Sequence, residues 1–138
     1  MMDHRRRFSA RVASGRDPRS TILGAIDFAR EFLPETSLDE RARVKVAIIV
    51  EELVSNALRH RSGVQDLALW LTLDDTGDAV TLELEDDGAA FDPMTASRPN
   101  GPDRDTGGGI GLSIIRAWGE DITYARSGDR NVVRMNIR

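Results

Sequence analysis

The chain contains no cysteine, which removes disulfides, thiolate nucleophiles and cysteine-based zinc sites together. Its two histidines, His4 and His60, are too few and too far apart to suggest a metal cluster. Lysine is almost missing as well. Lys45 is the only one, so the 19 cationic side chains are nearly all arginine, and any phosphate chemistry must do without the usual lysine. No run approaches the ~18 apolar residues of a membrane span. The Arg5-Arg6-Arg7 stretch lacks the apolar core of a signal peptide, so a cytoplasmic protein with no membrane contact is expected. Three adjacent charges make a weak patch for an acidic partner or a membrane, and read as a solvated strand start. A formal net charge of −4 argues against a general nucleic-acid surface.

What is present is ordinary for a globular protein: 138 residues, 40% hydrophobic and 30% charged. One domain spanning 1–138 is expected, able to bury roughly two-thirds of its unfolded-chain surface. Phe8, Ala10 and Val12 alternate with Ser9, Arg11 and Ala13, which suits a half-buried strand. Asp17-Pro18 predicts an N-cap and first helical position, with the helix running to about Leu33 before Pro34. Ser37-Leu38-Asp39-Glu40 has capping-box spacing and predicts the start of a long second helix reaching His60. The period then changes to two. Leu67, Leu69, Leu71 and Leu73 answer Val80, Leu82 and Leu84 across the turn at residues 74–78. Residues 86–106 carry no period and are rich in Gly, Pro, Asp and Asn, the signature of a binding loop or lid. A short helix from Gly109 to about Trp118 and a closing hairpin around Ser127-Gly128-Asp129-Arg130 complete the order β-α-α-β-β-loop-α-β-β. That order predicts an α+β two-layer sandwich: a mixed β-sheet with helices on one face.

Three stretches carry chemistry. In EELVSNALRH (residues 51–60), Val46, Val50, Leu53, Val54, Ala57 and Leu58 form an apolar stripe. Glu52 and Asn56 are expected on the opposite side, near Ser55, Arg59 and His60. They fit the wet face of an amphipathic helix; they also fit a carboxylate base beside a hard oxygen ligand for Mg²⁺. In LELEDDGAAFDP (residues 82–93), Asp86 ends a strand and Gly88 turns the chain. This is either plain turn chemistry or an acceptor for an exocyclic amine, with the glycine admitting a flat ring. In TGGGIGLSIIRAWG (residues 106–119), glycines open directly into a helix. The result is a flexible cap or a phosphate cradle of backbone N–H groups. A dinucleotide fingerprint, a Walker loop and a nucleophile elbow are each excluded: the last glycine of the first, the Lys-Ser/Thr of the second and the second glycine of the third are missing.

Taken together, ExxxN on a helix, DxG at a strand end, a long loop and GGxGxG into a helix resemble the GHKL ATPase superfamily of gyrase-type topoisomerases, heat-shock chaperones, mismatch-repair ATPases and histidine kinases. The chain looks most like the anti-sigma-factor serine kinases, through Phe91-Asp92-Pro93, the Asn56-Ala57-Leu58-Arg59-His60 continuation and the small size. The resemblance implies a Bergerat-type ATP-binding fold with ATP and Mg²⁺ as cofactors. It implies Glu52 as catalytic base and Asn56 as Mg²⁺ ligand. Nucleotide contacts would come from Asn56, Arg59, His60, Asp86, Gly88, Ala90, Gly107, Gly108, Gly109, Ile110, Gly111 and Leu112. Arg98 or Arg104 is expected to add positive charge at the γ-phosphate. A sigma factor and an antagonist (anti-anti-sigma) protein are the expected partners, and a homodimer is implied. One departure stands out: Ala90 occupies the last glycine of the usual DxGxG. Two other readings stay open at this level, a nucleotide-sensing binding module without transfer and a detached histidine-kinase catalytic domain.

Overall fold

The computed structural model describes residues 4–60, 66–94 and 108–138. The elements run β1 (His4–Val12), α1 (Arg19–Phe32), a 3-10 turn (Leu33–Glu35), α2 (Glu40–Arg59), β2 (Leu67–Asp75), β3 (Val80–Asp86), α3 (Gly108–Trp118), β4 (Glu120–Ser127) and β5 (Arg130–Ile137). This is the expected order. The sheet is β1-β2-β3-β5-β4, and every pairing is antiparallel, where a mixed sheet was expected. The reason is the placement of the closing hairpin. β4 runs in the same direction as β3, but β5 lies between them, so no parallel pair forms.

The period-two pattern is what builds the core. Leu69, Leu71, Leu73, Val80, Leu82, Met135 and Ile137 all point inward with at most 1% exposure. They meet Val46, Ile49, Val50, Leu53 and Val54 of α2 and Ala25 and Ala29 of α1 in one continuous cluster. Each fully buried Leu, Ile or Val is worth roughly 1.5–3 kcal/mol relative to exposure, so this two-layer contact dominates the fold. The other sheet face carries polar contacts around Trp70. The Arg130 guanidinium lies 4.1 Å above the Trp70 ring, and its Nη1 is 2.7 Å from Glu85 Oε2.

Both helix starts lie later than the sequence suggested. Asp39, in an extended conformation, is the N-cap of α2 and accepts from the Ala42 N–H at 2.8 Å. Ser37 is diverted instead: its hydroxyl donates to Gly77 O at 2.7 Å, tying the helix entry to the β2–β3 turn. At α1 the N-cap is Pro18 and no side chain caps the helix, although Asp17 Oδ1 accepts from the Arg19 N–H at 2.9 Å. Among the described residues, no helix is long and apolar enough to cross a membrane.

Candidate functional site

α2 carries the first two residues. Asn56 is 2% exposed, which corrects its expected place on the wet face. One helical step of three residues turns by about −60° from Leu53, so Asn56 flanks the apolar stripe and is drawn under the neighbouring strands. Its Oδ1 accepts from Arg59 Nη2 at 2.9 Å, whereas its buried Nδ2 has no hydrogen-bond partner among the described residues. An unmet buried donor costs about 1–3 kcal/mol, an arrangement that a bound group or water can relieve.

Glu52 is half-buried. Burial, then the neighbouring Glu51, push its carboxyl above the usual carboxylate range, and Arg59 partly offsets them. The start of α3 lies directly on this carboxylate: a Cβ on Gly111 would sit 2.8 Å from Glu52 Cδ and collide with Oε2. A side chain at 111 would therefore have to displace the end of Glu52. Of the other residues in this box, Gly108, Gly109 and Ile110 form the opening turn of α3, and Leu112 is buried in the core, so only its backbone faces outward chemistry. Gly107, Arg98 and Arg104 lie outside the described residues, as do residues 95–106 of the loop expected to act as a lid.

Asp86 is the last residue of β3. Its Oδ1 accepts from the Gly88 N–H at 2.9 Å and from Asn131 Nδ2 at 3.0 Å. Burial raises its pKa most, and Asp87 adds to this; the bonds from Asn131 and Gly88 and the nearby Arg126 work in the opposite direction. A Cβ on Gly88 would lie 3.0 Å from both Asp86 Oδ1 and Leu67 Cδ1. A side chain at this position would press on the Asp86 carboxylate and on Leu67 of β2. Ala90 is exposed and has no positive φ, so the residue that replaces the usual glycine is unstrained.

Asn56 and Asp86 meet across a small cavity of about 20 Å³, lined also by Leu53, Phe91, Pro93 and Val133. That is room for about one water, far below the ~300–1,000 Å³ of small-molecule pockets. Phe91 roofs it, with its ring stacked on His60 at 3.9 Å between centroids. His60, which caps the C-terminus of α2, has its pKa lowered by burial and by Arg59. A wider cleft of about 600 Å³ lies between α1 and α2, bordered by Arg30, Arg43 and Val44, and includes none of the motif residues.

Sequence reasoning missed Asn131. It is 3% exposed, stands opposite Asp86 in the β3–β5 register, and ties the turn after β3 to the end of the sheet. A signal was available: Asn131 is in phase with Val133, Met135 and Ile137, so the period-two pattern itself places an amide on the buried face.

Against known protein families, residues 16–137 match the histidine kinase-like ATPase domain. No curated protein matches the chain. With nearly its whole length matched, and with the helix, strand-end and glycine motifs arranged as described, the chain belongs to the histidine kinase-like ATPase domain family.

Proposed function

We propose that this chain binds ATP with Mg²⁺ and transfers the terminal phosphoryl group to a serine of an antagonist protein, while in another state it holds a sigma factor. The observation that carries the reading is the convergence of three separate motifs. Glu52 of α2 lies against Gly111 of α3, and Asn56 of the same helix shares a cavity with Asp86 of β3.

In this reading Asp86 accepts from the exocyclic amine of adenine, and Phe91 swings off the cavity to admit the ring. The N–H groups opening α3 receive phosphate oxygens. Asn56 fits a metal-ligand role in part: its side-chain oxygen is a hard neutral donor, but Arg59 must release it first. Among the described residues no cluster of three acidic or histidine side chains could hold a metal by itself. That suits Mg²⁺, which commonly takes one or two protein ligands together with phosphates and water. When bound, Mg²⁺ would supply charge neutralisation at the transferring phosphoryl group. Glu52, with its raised proton affinity, takes the proton of the incoming serine hydroxyl. The test is incubation with γ-labelled ATP and proteins that co-purify with the chain. Acid-stable phosphoserine on a partner is the expected result. Acid-labile phosphohistidine would instead mark a histidine-kinase catalytic domain, and ATP binding without transfer a nucleotide-sensing module.

A further inference from the structure

We infer that Asn131 is a positioning residue for nucleobase recognition: it holds the Asp86 carboxylate so that one oxygen is spent on the protein and the other is presented to the base. The inference rests on the ATP-binding reading above and names a residue of the same site that no motif contains.

Asn131 lies between groups whose chemistry fixes its amide orientation. Phe91 N–H at 3.1 Å, Tyr124 O–H at 2.6 Å and Arg126 Nη1 at 3.2 Å converge on one end. The backbone N–H and the guanidinium can only donate, so that end is the oxygen. Ala89 O, which can only accept, lies 2.9 Å from the other end, so that end is the nitrogen. Its second N–H is thereby directed at Asp86 Oδ1, 3.0 Å away. With the Gly88 N–H on the same atom, both partners of Asp86 found among the described residues fall on Oδ1. Oδ2 is the oxygen oriented for a ligand.

The frame around the amide is rigid for the same reasons. Arg126 also donates to Gly88 O at 2.7 Å, so one guanidinium braces both the turn and the asparagine. β5 contributes Asn131 from a paired position in the sheet, which is a firmer base than the turn that it holds. A strand thus sets the angle of a carboxylate on its neighbour.

The experiment is calorimetric titration of ATP with Mg²⁺ into wild type, Asn131→Asp and Tyr124→Phe at several pH values from the carboxylate range up to neutrality. The nucleotide's own titration is common to all three proteins and cancels in the comparison. Affinity should fall in wild type as Asp86 takes up a proton. Around Asp86 the other charged groups are Asp87 and Arg126, and neither is changed. Asn131→Asp removes a donor and adds a like charge, so the midpoint of this loss should move to higher pH. Affinity at neutral pH should drop by about ten- to a hundredfold. Tyr124→Phe keeps the ring and all of Asn131, and should move the midpoint in the same direction by less. Should Asn131→Asp fail to fold, this second variant decides alone. Weaker binding by one constant factor at every pH, with no change of midpoint, would mean a purely structural role and overturn the inference. So would wild-type affinity in a folded variant, with the ATP-binding reading left intact. Failure of folded wild type to bind ATP at all would remove that reading and this inference with it.

Discussion

Asp86 combines two demands that oppose each other. Burial raises its pKa, so the folded chain holds a proton on this carboxyl more tightly than the unfolded chain does. Ionised Asp86 therefore lowers stability at neutral pH, and the penalty fades as the pH falls far enough to protonate it in both states. Asp86→Asn keeps an oxygen for the Gly88 and Asn131 donors while removing the charge. The variant should melt no lower than wild type at pH 7, with any gain shrinking as the pH is lowered through the carboxylate range. A clear loss of stability at pH 7 would show that the ionised carboxylate holds the turn together. Glu52 is raised for a similar reason, but its role is separable. Glu52→Gln keeps size and helix propensity and removes only the ability to take a proton. ATP affinity should change little while phosphoryl transfer falls by about 10²–10⁴. Transfer at the wild-type rate would exclude Glu52 as the base.

Among the elements, the α2–α3 apposition is the one that links fold to chemistry. Gly111→Ala makes a sharp test, because its two consequences have opposite signs. Within a helix, alanine is favoured over glycine by up to about 1 kcal/mol, and the obstruction is the end of a flexible side chain, Glu52. Thermal stability should hold or rise slightly. The displaced carboxylate should nonetheless slow phosphoryl transfer, and Glu52→Gln combined with Gly111→Ala should be no slower than Glu52→Gln alone. Additive losses would mean that Gly111 acts through something other than Glu52. The strands were readable from their alternation of leucine and valine, and so was the long helix from its apolar stripe. The start of α2 was misread because Ser37 is claimed by Gly77 O, a partner 40 residues away that local spacing cannot reveal. Asn56 was misplaced because a wheel gives an angle and not the width of the neighbouring layer. The covering strands bury more of the helix than the apolar stripe alone marks.

On the scale of the whole molecule, one sheet carries a sealed core on one face and delivers Asp86 and Asn131 to the same end. The motifs were legible because each requires unusual residues at fixed spacing: a carboxylate and an amide one turn apart, a strand-end aspartate, and glycines opening a helix. The closed state of the cavity was not legible, since the His60–Phe91 stack joins residues 31 positions apart through packing alone. A ligand that binds only the folded chain stabilises it by about 2.7 kcal/mol at a hundred times its Kd. Saturating ATP with Mg²⁺ should therefore raise the melting temperature by on the order of 10 °C for a domain of this size. GTP should give a smaller rise, and an equal rise from both would mean that the base is not read. The most direct measurement is a calorimetric titration of ATP with Mg²⁺ into wild type and Asp86→Asn side by side at neutral pH. The account predicts one saturating site in wild type and binding weaker by about ten- to a hundredfold in the variant, with the preference for ATP over GTP reduced. A folded Asp86→Asn protein that binds ATP as tightly as wild type would contradict it.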